Sequence, residues 1–277
     1  MSNSAIYEAL IIEHIEVSPG YRKIVAESPA LSKSALPGQF VHVLCGVHGH
    51  DPLLRRPFGI HWADPVTGRF GLMYEVRGKG TEVLSTRRPG EKLSLIGPLG
   101  DGFNLSLSES SSAVLVGGGI GAVPLYFLAK ALSSTIGSER ITLIMGACTM
   151  SKLFFMDDFA KLCSVDPGDG QYYLCTDDGT CGHHGFVTDI LAEHLSKGTN
   201  DESPVVYACG PVPMLKAVSG VAERFDVRCQ ISTEAKMACG IGACMGCVVK
   251  VRSGAGEKYV RACKEGPVFD SRDVVWE

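Results

Sequence analysis

The sequence predicts a β plus α/β chain: an antiparallel barrel or sandwich over residues 1–106, a parallel α/β domain over 107–226, and a small C-terminal module over 227–277. Three observations carry this. The first hundred residues alternate short β-branched or aromatic runs with Pro-Gly turns. The middle alternates buried-type strands with helical patterns. From Val227 onward the chain turns Gly- and Cys-rich.

In the first region the strands are expected at Ile6–Glu13, Tyr21–Ala26, Phe40–Leu44, Arg69–Val76 and Lys92–Ile96. Turn residues separate them: Ser18-Pro19-Gly20, Pro37-Gly38 and Pro89-Gly90. Pro fixes φ and Gly supplies positive φ, so these dipeptides stop strands. Several short strands at this spacing suit an antiparallel barrel or sandwich. The Ser-rich run Ser106–Ser112 then reads as a hinge. Beyond it, Ala113–Val116 is an apolar strand leading through glycines into a helical pattern that ends at Leu132. Ile141–Met145 repeats the strand type, with a helix expected through Leu153–Leu162. Tyr172–Cys175 and Val205–Ala208 follow, each with a loop and helical segment behind it.

Composition bounds the function. With 277 residues, 45% hydrophobic and 20% charged, the chain is long enough for two domains and a smaller module and can bury ordinary cores. A net charge of −4 and the lack of a dense basic run give no electrostatic reason for nucleic-acid binding. Met1–Tyr7 lacks the basic-then-apolar order of a secretory signal. The longest apolar stretch, Ala113–Ala129, holds Gly117, Gly118, Gly119, Gly121 and Pro124. A strand-loop-helix explains it better than a membrane span, and the expected location is cytoplasmic. Eleven cysteines are many for a reducing compartment, and the odd count argues against a full set of internal disulfides.

The last four cysteines are the strongest signal. Cys239, Cys244 and Cys247 have the spacing C-x4-C-x2-C, and Cys263 follows after fifteen intervening residues. This is the plant-type [2Fe–2S] ligand order. Two irons need four thiolates, and one wrapping loop can supply three of them. Gly240, Gly242 and Gly246 permit positive φ, so amides can point at the sulfides. The alternative is structural zinc on the same thiolates, although zinc usually draws its cysteines from two short knuckles.

Gly117, Gly118, Gly119, Gly121 and Pro124 stand where the Ala113–Val116 strand becomes a helix. Amides at such a helix start can hold a pyrophosphate, and Pro near the first turn costs no needed hydrogen bond. Glycine-rich turns also serve packing alone. A second strand end, Cys209-Gly210-Pro211, points to the same crevice, because ligands of open parallel sheets sit at the carboxyl ends of strands. Cys209 could face a nicotinamide there or be a small buried apolar residue. Asp177-Asp178-Gly179 lines that crevice or forms a solvated turn.

In the first domain, Arg56-Pro57-Phe58-Gly59 sits in an apolar stretch after Leu53-Leu54-Arg55. Arginine can fork a phosphate and an aromatic can pack on a flat ring; a surface ion pair is the alternative. Met73-Tyr74-Glu75 ends a strand, and Gly80-Thr81 can open a short helix whose amides receive a phosphate.

Together these residues resemble the ferredoxin–NADP reductase superfamily over essentially the whole chain. The flavin motif Arg-x-aromatic-Ser/Thr is matched at Arg56–Gly59, and the nucleotide signatures at Gly117–Pro124 and Cys209–Pro211. Within it the chain is similar to the electron-transfer subunits of two-subunit, NAD-linked dihydroorotate dehydrogenases. That likeness lies in Leu54-Arg-Arg-Pro-Phe58, Gly80-Thr81, Gly97-Pro-Leu-Gly100-Asp-Gly-Phe103, Gly118-Gly-Ile-Gly121, Met237–Cys247 and the tail Cys263–Asp270.

The resemblance implies an FAD-binding barrel, an NAD-binding α/β domain and a [2Fe–2S] module. It implies a separate catalytic subunit carrying FMN, two of each chain forming a heterotetramer. Electrons from dihydroorotate would pass from that FMN through the cluster and FAD to NAD⁺ in pyrimidine biosynthesis. No side chain is needed as general acid or nucleophile, because the cofactors carry the chemistry. Related reductase subunits, of sulfide dehydrogenase or ferredoxin:NADP⁺ oxidoreductase type, share the outline, but some replace one cluster ligand. Two departures stand out. Gly59 replaces the usual Ser or Thr, so the flavin loses a side-chain hydroxyl. Cys148 stands where many relatives have arginine, which favours NAD over NADP.

Overall fold

The computed structural model describes residues 5–46, 51–108, 110–164, 167–168, 171–198, 202–254 and 256–276. Of the expectations above, Met1 to Ser4 and Glu109 lie outside the described residues. The chain divides into two compact units.

The first unit is residues 1–102 with 235–249 and 260–267. Six strands close an antiparallel barrel: β1 (Ala5–Ser18), β2 (Tyr21–Glu27), β3 (Phe40–Val43), β4 (Arg56–Asp64), β5 (Arg69–Glu75) and β6 (Lys92–Leu99). The order is β1-β2-β5-β4-β3-β6, and the closure of β6 on β1 leaves no open edge. The punctuation read from sequence does what its chemistry dictates: Gly20, Gly38 and Gly90 take φ of 79°, 91° and 88° at the three Pro-Gly turns. The interior is filled by Ile24, Leu31, Phe70, Leu72, Leu93 and Leu95. Strand β4 had no place in the sequence-based list of strands. Its Arg-Arg-Pro start hides the alternation that Phe58, Ile60 and Ala63 then show in burial. Helix α1 (Pro29–Ser34) precedes β3, and α2 (Lys79–Ser85) follows β5.

The second unit is residues 103–234 with 250–259 and 268–277. Its sheet runs through β7 (Ser111–Gly118), β8 (Ile141–Ala147), β9 (Tyr172–Thr176), β10 (His183–His184), β11 (Glu202–Cys209), β12 (Arg228–Ser232) and β15 (Val268–Asp270). The order is β10-β9-β8-β7-β11-β12-β15, all parallel except β15, which runs antiparallel on β12. The order reverses between β7 and β11, the switch point at which such sheets bind nucleotides. Helices α3 (Ala122–Ile136), α4 (Met156–Cys163), α5 (Val187–Ser196) and α6 (Val212–Arg224) cover the sheet.

The apolar stretch at Ala113–Ala129 divides into strand, 3-10 turn and helix, as its glycines require. Gly119–Ile136 is long and apolar enough by composition to cross a membrane. In the fold it is a core helix, with Leu125, Leu128, Ala129 and Leu132 buried among Leu115, Leu143 and Phe159. The Ser-rich run expected as a hinge lies inside the second unit, because the two units divide at Gly102 and Phe103. Ser111 is buried at the start of β7, and its hydroxyl lies 2.7 Å from that of Ser108.

The stretch from Val227 onward, expected as a module of its own, is apportioned by its contacts. Strands β12 and β15 extend the parallel sheet. Cys247, Ala262 and Cys263 are buried against Phe40 and Leu99 of the barrel. So few apolar residues cannot enclose a core alone, and the cysteine loop borrows one. Along the chain, the hairpin of β13 (Val248–Ser253) and β14 (Gly256–Arg261) separates Cys247 from Ala262.

Candidate functional site

The loop Cys239–Cys247 follows β12. Three of its residues are left-handed: Gly240 at φ 69°, Gly242 at 81° and Met245 at 56°. These turns aim amides inward. Gly242 N–H donates to Cys263 Sγ at 3.1 Å and Ala243 N–H to Cys239 Sγ at 3.3 Å. Burial works against ionisation of Cys239. Hydrogen bonds from the Ile241, Cys244 and Ala243 amides and from the Cys244 thiol outweigh it and bring the pKa down to about 6. Cys263 goes the other way, pushed up to about 12 by burial and then by its neighbour Cys247.

Cys239 bonds the Cys244 thiol, and Cys263 pairs with Cys247 while also feeling Cys239, so the four sulfurs lie in one cluster. Among the described residues no three His, Cys, Asp or Glu side chains are arranged to hold a single metal ion. A C-x4-C-x2-C loop with amides facing Cys263 and Cys239 fits a [2Fe–2S] cluster.

The loop is braced from below. Arg261 Nη1 donates to the Gly242 carbonyl at 2.6 Å, while its Nε bonds Glu265 at 3.0 Å. The arginine holds the Glu265 carboxyl far down, at about 2. The tail seats on the barrel: Asp101 N–H donates to Gly266 O at 2.6 Å, and a Cβ on Gly100 would lie 2.5 Å from that oxygen. The sequence motifs Gly97–Phe103 and Cys263–Asp270 therefore meet as one contact.

His42 of β3 lies against the same loop. It is 1% exposed, and neither ring nitrogen has a hydrogen-bond partner of good geometry. Burial lowers its pKa, partly offset by the Cys239 and Arg55 backbones. A Cβ on Gly240 would sit 2.4 Å from His42 Nδ1.

The barrel residues singled out from sequence come together. Strand β4 carries Arg56, Pro57, Phe58 and Gly59, and β5 beside it carries Met73, Tyr74 and Glu75. The Phe58 and Tyr74 rings are 5.4 Å apart and tilted by 54°. Arg56 reaches α2, where a Cβ on Gly80 would lie 2.8 Å from Arg56 Nε. Thr81 Oγ1 accepts from the Arg77 and Gly78 amides at 2.9 and 3.2 Å, so the hydroxyl shapes the turn that opens α2. The two arginines separate in role. Arg55 is spent on the Ser94 carbonyl and hydroxyl at 2.8 and 3.0 Å, and Arg56 alone lies at α2. Glu75 is half-buried and pairs with Arg77 at 2.6 Å.

Sequence reasoning missed His14, whose Nδ1 donates to the Arg87 carbonyl at 2.8 Å. That fixes Nε2 as the acceptor for the Tyr74 hydroxyl at 2.9 Å. Burial pushes the Tyr74 phenol well above its usual range. His42 was also missed, and here a signal existed: a lone polar residue in Phe40-Val-His-Val43, whose four side chains are all buried. The brace Arg261–Glu265 carried no signal beyond an ordinary i,i+4 pair.

In the second unit the two predicted strand ends touch. A Cβ on Gly121 would lie 2.5 Å from the Cys209 carbonyl oxygen and 2.6 Å from Gly210 Cα. On Gly118 it would meet Met214 Sδ at 2.5 Å and Pro211 Cδ at 3.0 Å. Gly117 is register partner to Cys209 and is closed off by Met145. Gly119 takes φ 54° in the 3-10 turn, and Pro124 lies in the first turn of α3. Cys209 is buried, its thiol pushed up to about 12 by desolvation against a lowering bond to Ser232. Its place is that of a small buried side chain.

At the ends of β8 and β9 the exposed Cys148 thiol bonds the Asp177 carboxylate, the main cause of its raised pKa. Thr180 Oγ1 accepts from Met150 N–H at 2.9 Å, knitting the two loops into one rim.

Comparison with known proteins bears on each region. Residues 234–275 match the iron-sulfur cluster binding domain of dihydroorotate dehydrogenase B. Residues 115–220 match the oxidoreductase NAD-binding domain. The chain is 37% identical over 274 residues to the dihydroorotate dehydrogenase B (NAD(+)) electron transfer subunit of Desulforamulus reducens, covering 99% of this chain and 100% of that one. The Bacillus cereus subunit of the same name is 36% identical over 96% of this chain and 97% of its own.

Among solved structures, one described as the NADH-dependent reduced ferredoxin-NADP oxidoreductase, in a study of flavin-based electron bifurcation, superposes with a TM-score of 0.80. It is 30% identical over 97% of this chain and 90% of that one. The cytochrome b5 reductase domain of Ulva prolifera nitrate reductase shares the fold, with a TM-score of 0.62 at 19% identity, over 80% of this chain and 93% of that one. With whole-length relatives of one name, a barrel and a nucleotide-type sheet, the chain belongs to the family of electron-transfer subunits of NAD(+)-linked dihydroorotate dehydrogenase B.

Proposed function

We propose that this chain is the subunit that carries electrons between a catalytic dihydroorotate-oxidising partner and NAD⁺. The observation that carries the reading is the loop Cys239–Cys247, whose amides already point at Cys239 and Cys263. Its thiolates, with that of Cys263, would hold a [2Fe–2S] cluster. FAD lies on the barrel of residues 1–106. There Arg56 and the first turn of α2 at Gly80-Thr81 take its phosphates. Pro57, Phe58, Gly59, Met73, Tyr74 and Glu75 line the flavin. NAD lies on the sheet of residues 107–226, its pyrophosphate over Gly117, Gly118, Gly119, Gly121 and Pro124. Cys209, Gly210 and Pro211 leave room for the nicotinamide.

When bound, these groups supply the electron chemistry: single-electron carriage at the cluster, and exchange between single electrons and a hydride at the flavin. The chain positions them. Small residues let backbone approach, Arg56 neutralises phosphate, and the buried Cys209 adds no competing nucleophile. The partner in this reading carries FMN, in a cytoplasmic heterotetramer with two copies of each chain. Its support is the name shared by the relatives and the sequence resemblance.

The isolated chain is expected to be yellow-brown, to contain iron, sulfide and FAD, and to oxidise NADH with an artificial acceptor. It will not oxidise dihydroorotate until a partner is added. Dihydroorotate oxidation by this chain alone, or zinc in place of iron with no flavin, defeats the reading. The 30% identity to the bifurcating reductase favours a second reading, a subunit of another flavin complex. Co-purification decides between them: a partner that binds orotate supports the first, and a partner that does not supports the second.

A further inference from the structure

His42 belongs to two elements at once. In the barrel it lies opposite Pro57, inside the Arg56–Gly59 motif, because β3 pairs with β4. On its other side its ring fills the space that a Cβ on Gly240 would need, 2.4 Å from Nδ1. Both contacts fall within the first compact unit.

The ring is out of reach of water and its two nitrogens lack partners of good geometry. A buried polar group in that state costs stability, and a phenyl ring would fill the same hole without the cost. Two backbone groups oppose the lowering of its pKa, Cys239 more than Arg55, and the Gly240 contact puts Nδ1 on the Cys239 side.

We propose that His42 is a positioning residue of the cluster loop: with the proton on Nδ1, it donates to the Cys239 carbonyl and locks the Cys239–Gly240 peptide in its turn. The locked peptide sets the direction of the next amides, Ile241 to Ala243, and those are the amides that face Cys239 and Cys263. Gly240 is glycine for two reasons, its φ of 69° and the imidazole where a side chain would be. Through Pro57 the same ring ties the loop to the flavin strand. The inference rests on the reading of the four cysteines as cluster ligands.

Two variants of the full chain, purified anaerobically with flavin and cluster in place, test it. His42→Phe keeps the ring and removes both nitrogens. His42→Asn places an amide N–H close to where Nδ1 stands. The measurements are iron release to a chelator, the electron paramagnetic resonance spectrum of the reduced protein, and the cluster midpoint potential. Partners behind metal ligands commonly change affinity by about 10–100-fold, so His42→Phe is expected to lose iron at least about tenfold faster. Its spectrum should shift and its potential fall, since the aimed amides stabilise the more negative reduced state. His42→Asn should return all three readings toward the parent.

If the two variants behave alike, whether both like the parent or both without iron, the proposal is overturned. A parent protein that holds no iron or sulfide removes the cluster reading itself and this inference with it. The outcomes are distinguishable because the parent is assayed first.

Discussion

The Arg56 guanidinium rests on Gly80 so closely that a methyl group there would lie 2.8 Å from Nε and 3.1 Å from Cζ. Arg56 opens β4 and Gly80 lies in the first turn of α2, so the hairpin β4–β5 brings the guanidinium beside that turn, while Nη1 donates to the Leu54 and Arg55 carbonyls at 2.7 and 3.2 Å. The amides of a first helical turn have no acceptor within the helix, and an arginine beside them adds positive charge, which suits a phosphate.

Arg56→Ala is expected to weaken FAD binding. A hydrogen bond to a charged group contributes about 1.5–3 kcal/mol, which is about 10–100-fold in affinity. Titrating flavin-free protein with FAD, followed by flavin fluorescence, measures it. Arg55→Ala should cost folding stability with less effect on FAD, since Arg55 is bonded to Ser94 and not to α2. Equal FAD affinity in Arg56→Ala and the parent would place the phosphates elsewhere.

Cys247→Ser removes a buried thiol paired with Cys263. Iron and sulfide are expected to fall to background and the long-wavelength cluster absorption to vanish, with the FAD bands kept. Cys148→Ser is the control, because Cys148 lies in the other unit; it should keep full iron content. The visible spectrum and an iron assay suffice.

The pair Cys148–Asp177 sets the expectation for nucleotide choice. A carboxylate at a strand end accepts from ribose hydroxyls and repels a 2′-phosphate, as acidic residues do in other NAD-binding sheets. The double variant Cys148→Arg with Asp177→Ser should shift the NADPH/NADH ratio of kcat/KM upward by about tenfold or more, the scale of one charge-assisted hydrogen bond. Binding of 2′,5′-ADP against 5′-ADP gives the same comparison without turnover. An unchanged ratio would remove these two residues from recognition.

His61 in β4 is buried, and desolvation, helped by Lys23, lowers its pKa to about 3. The unfolded chain protonates near the ordinary value of 6.5, so between these values the unfolded state binds more protons. This contribution to stability is therefore flat above about pH 6.5 and declines by about 1.4 kcal/mol per pH unit below it. Urea unfolding at pH 7.5, 6.5 and 5.5 should show a steeper decline in the parent than in His61→Phe. Parallel declines would mean that His61 is as easily protonated folded as unfolded.

Much of this was legible from residues alone, for local reasons. Pro-Gly pairs placed the barrel turns because φ preferences act within two residues. Gly117–Gly121 and Cys209–Gly210 marked strand ends because only small residues allow the approach now seen between Gly121 and Cys209. The cysteine spacing pointed to a two-iron loop because ligand geometry is written into sequence separation. Strand β4 escaped because its polar, proline-containing start breaks the period-two pattern on which strand reading depends.

The sequence by itself settled the division into a barrel and a parallel α/β sheet, the glycine and cysteine motifs, and the family to which they belong. Only the tertiary structure decided which of two adjacent arginines faces α2, that Tyr74 is bonded to His14, and that a buried histidine backs the cluster loop. It also decided that the C-terminal segment finds its core on Phe40 and Leu99. The physical reason is range. Turn, cap and ligand-spacing rules operate over a few residues, whereas His42 and Gly240 meet only because a closed barrel brings distant segments into contact, and no local pattern encodes that closure.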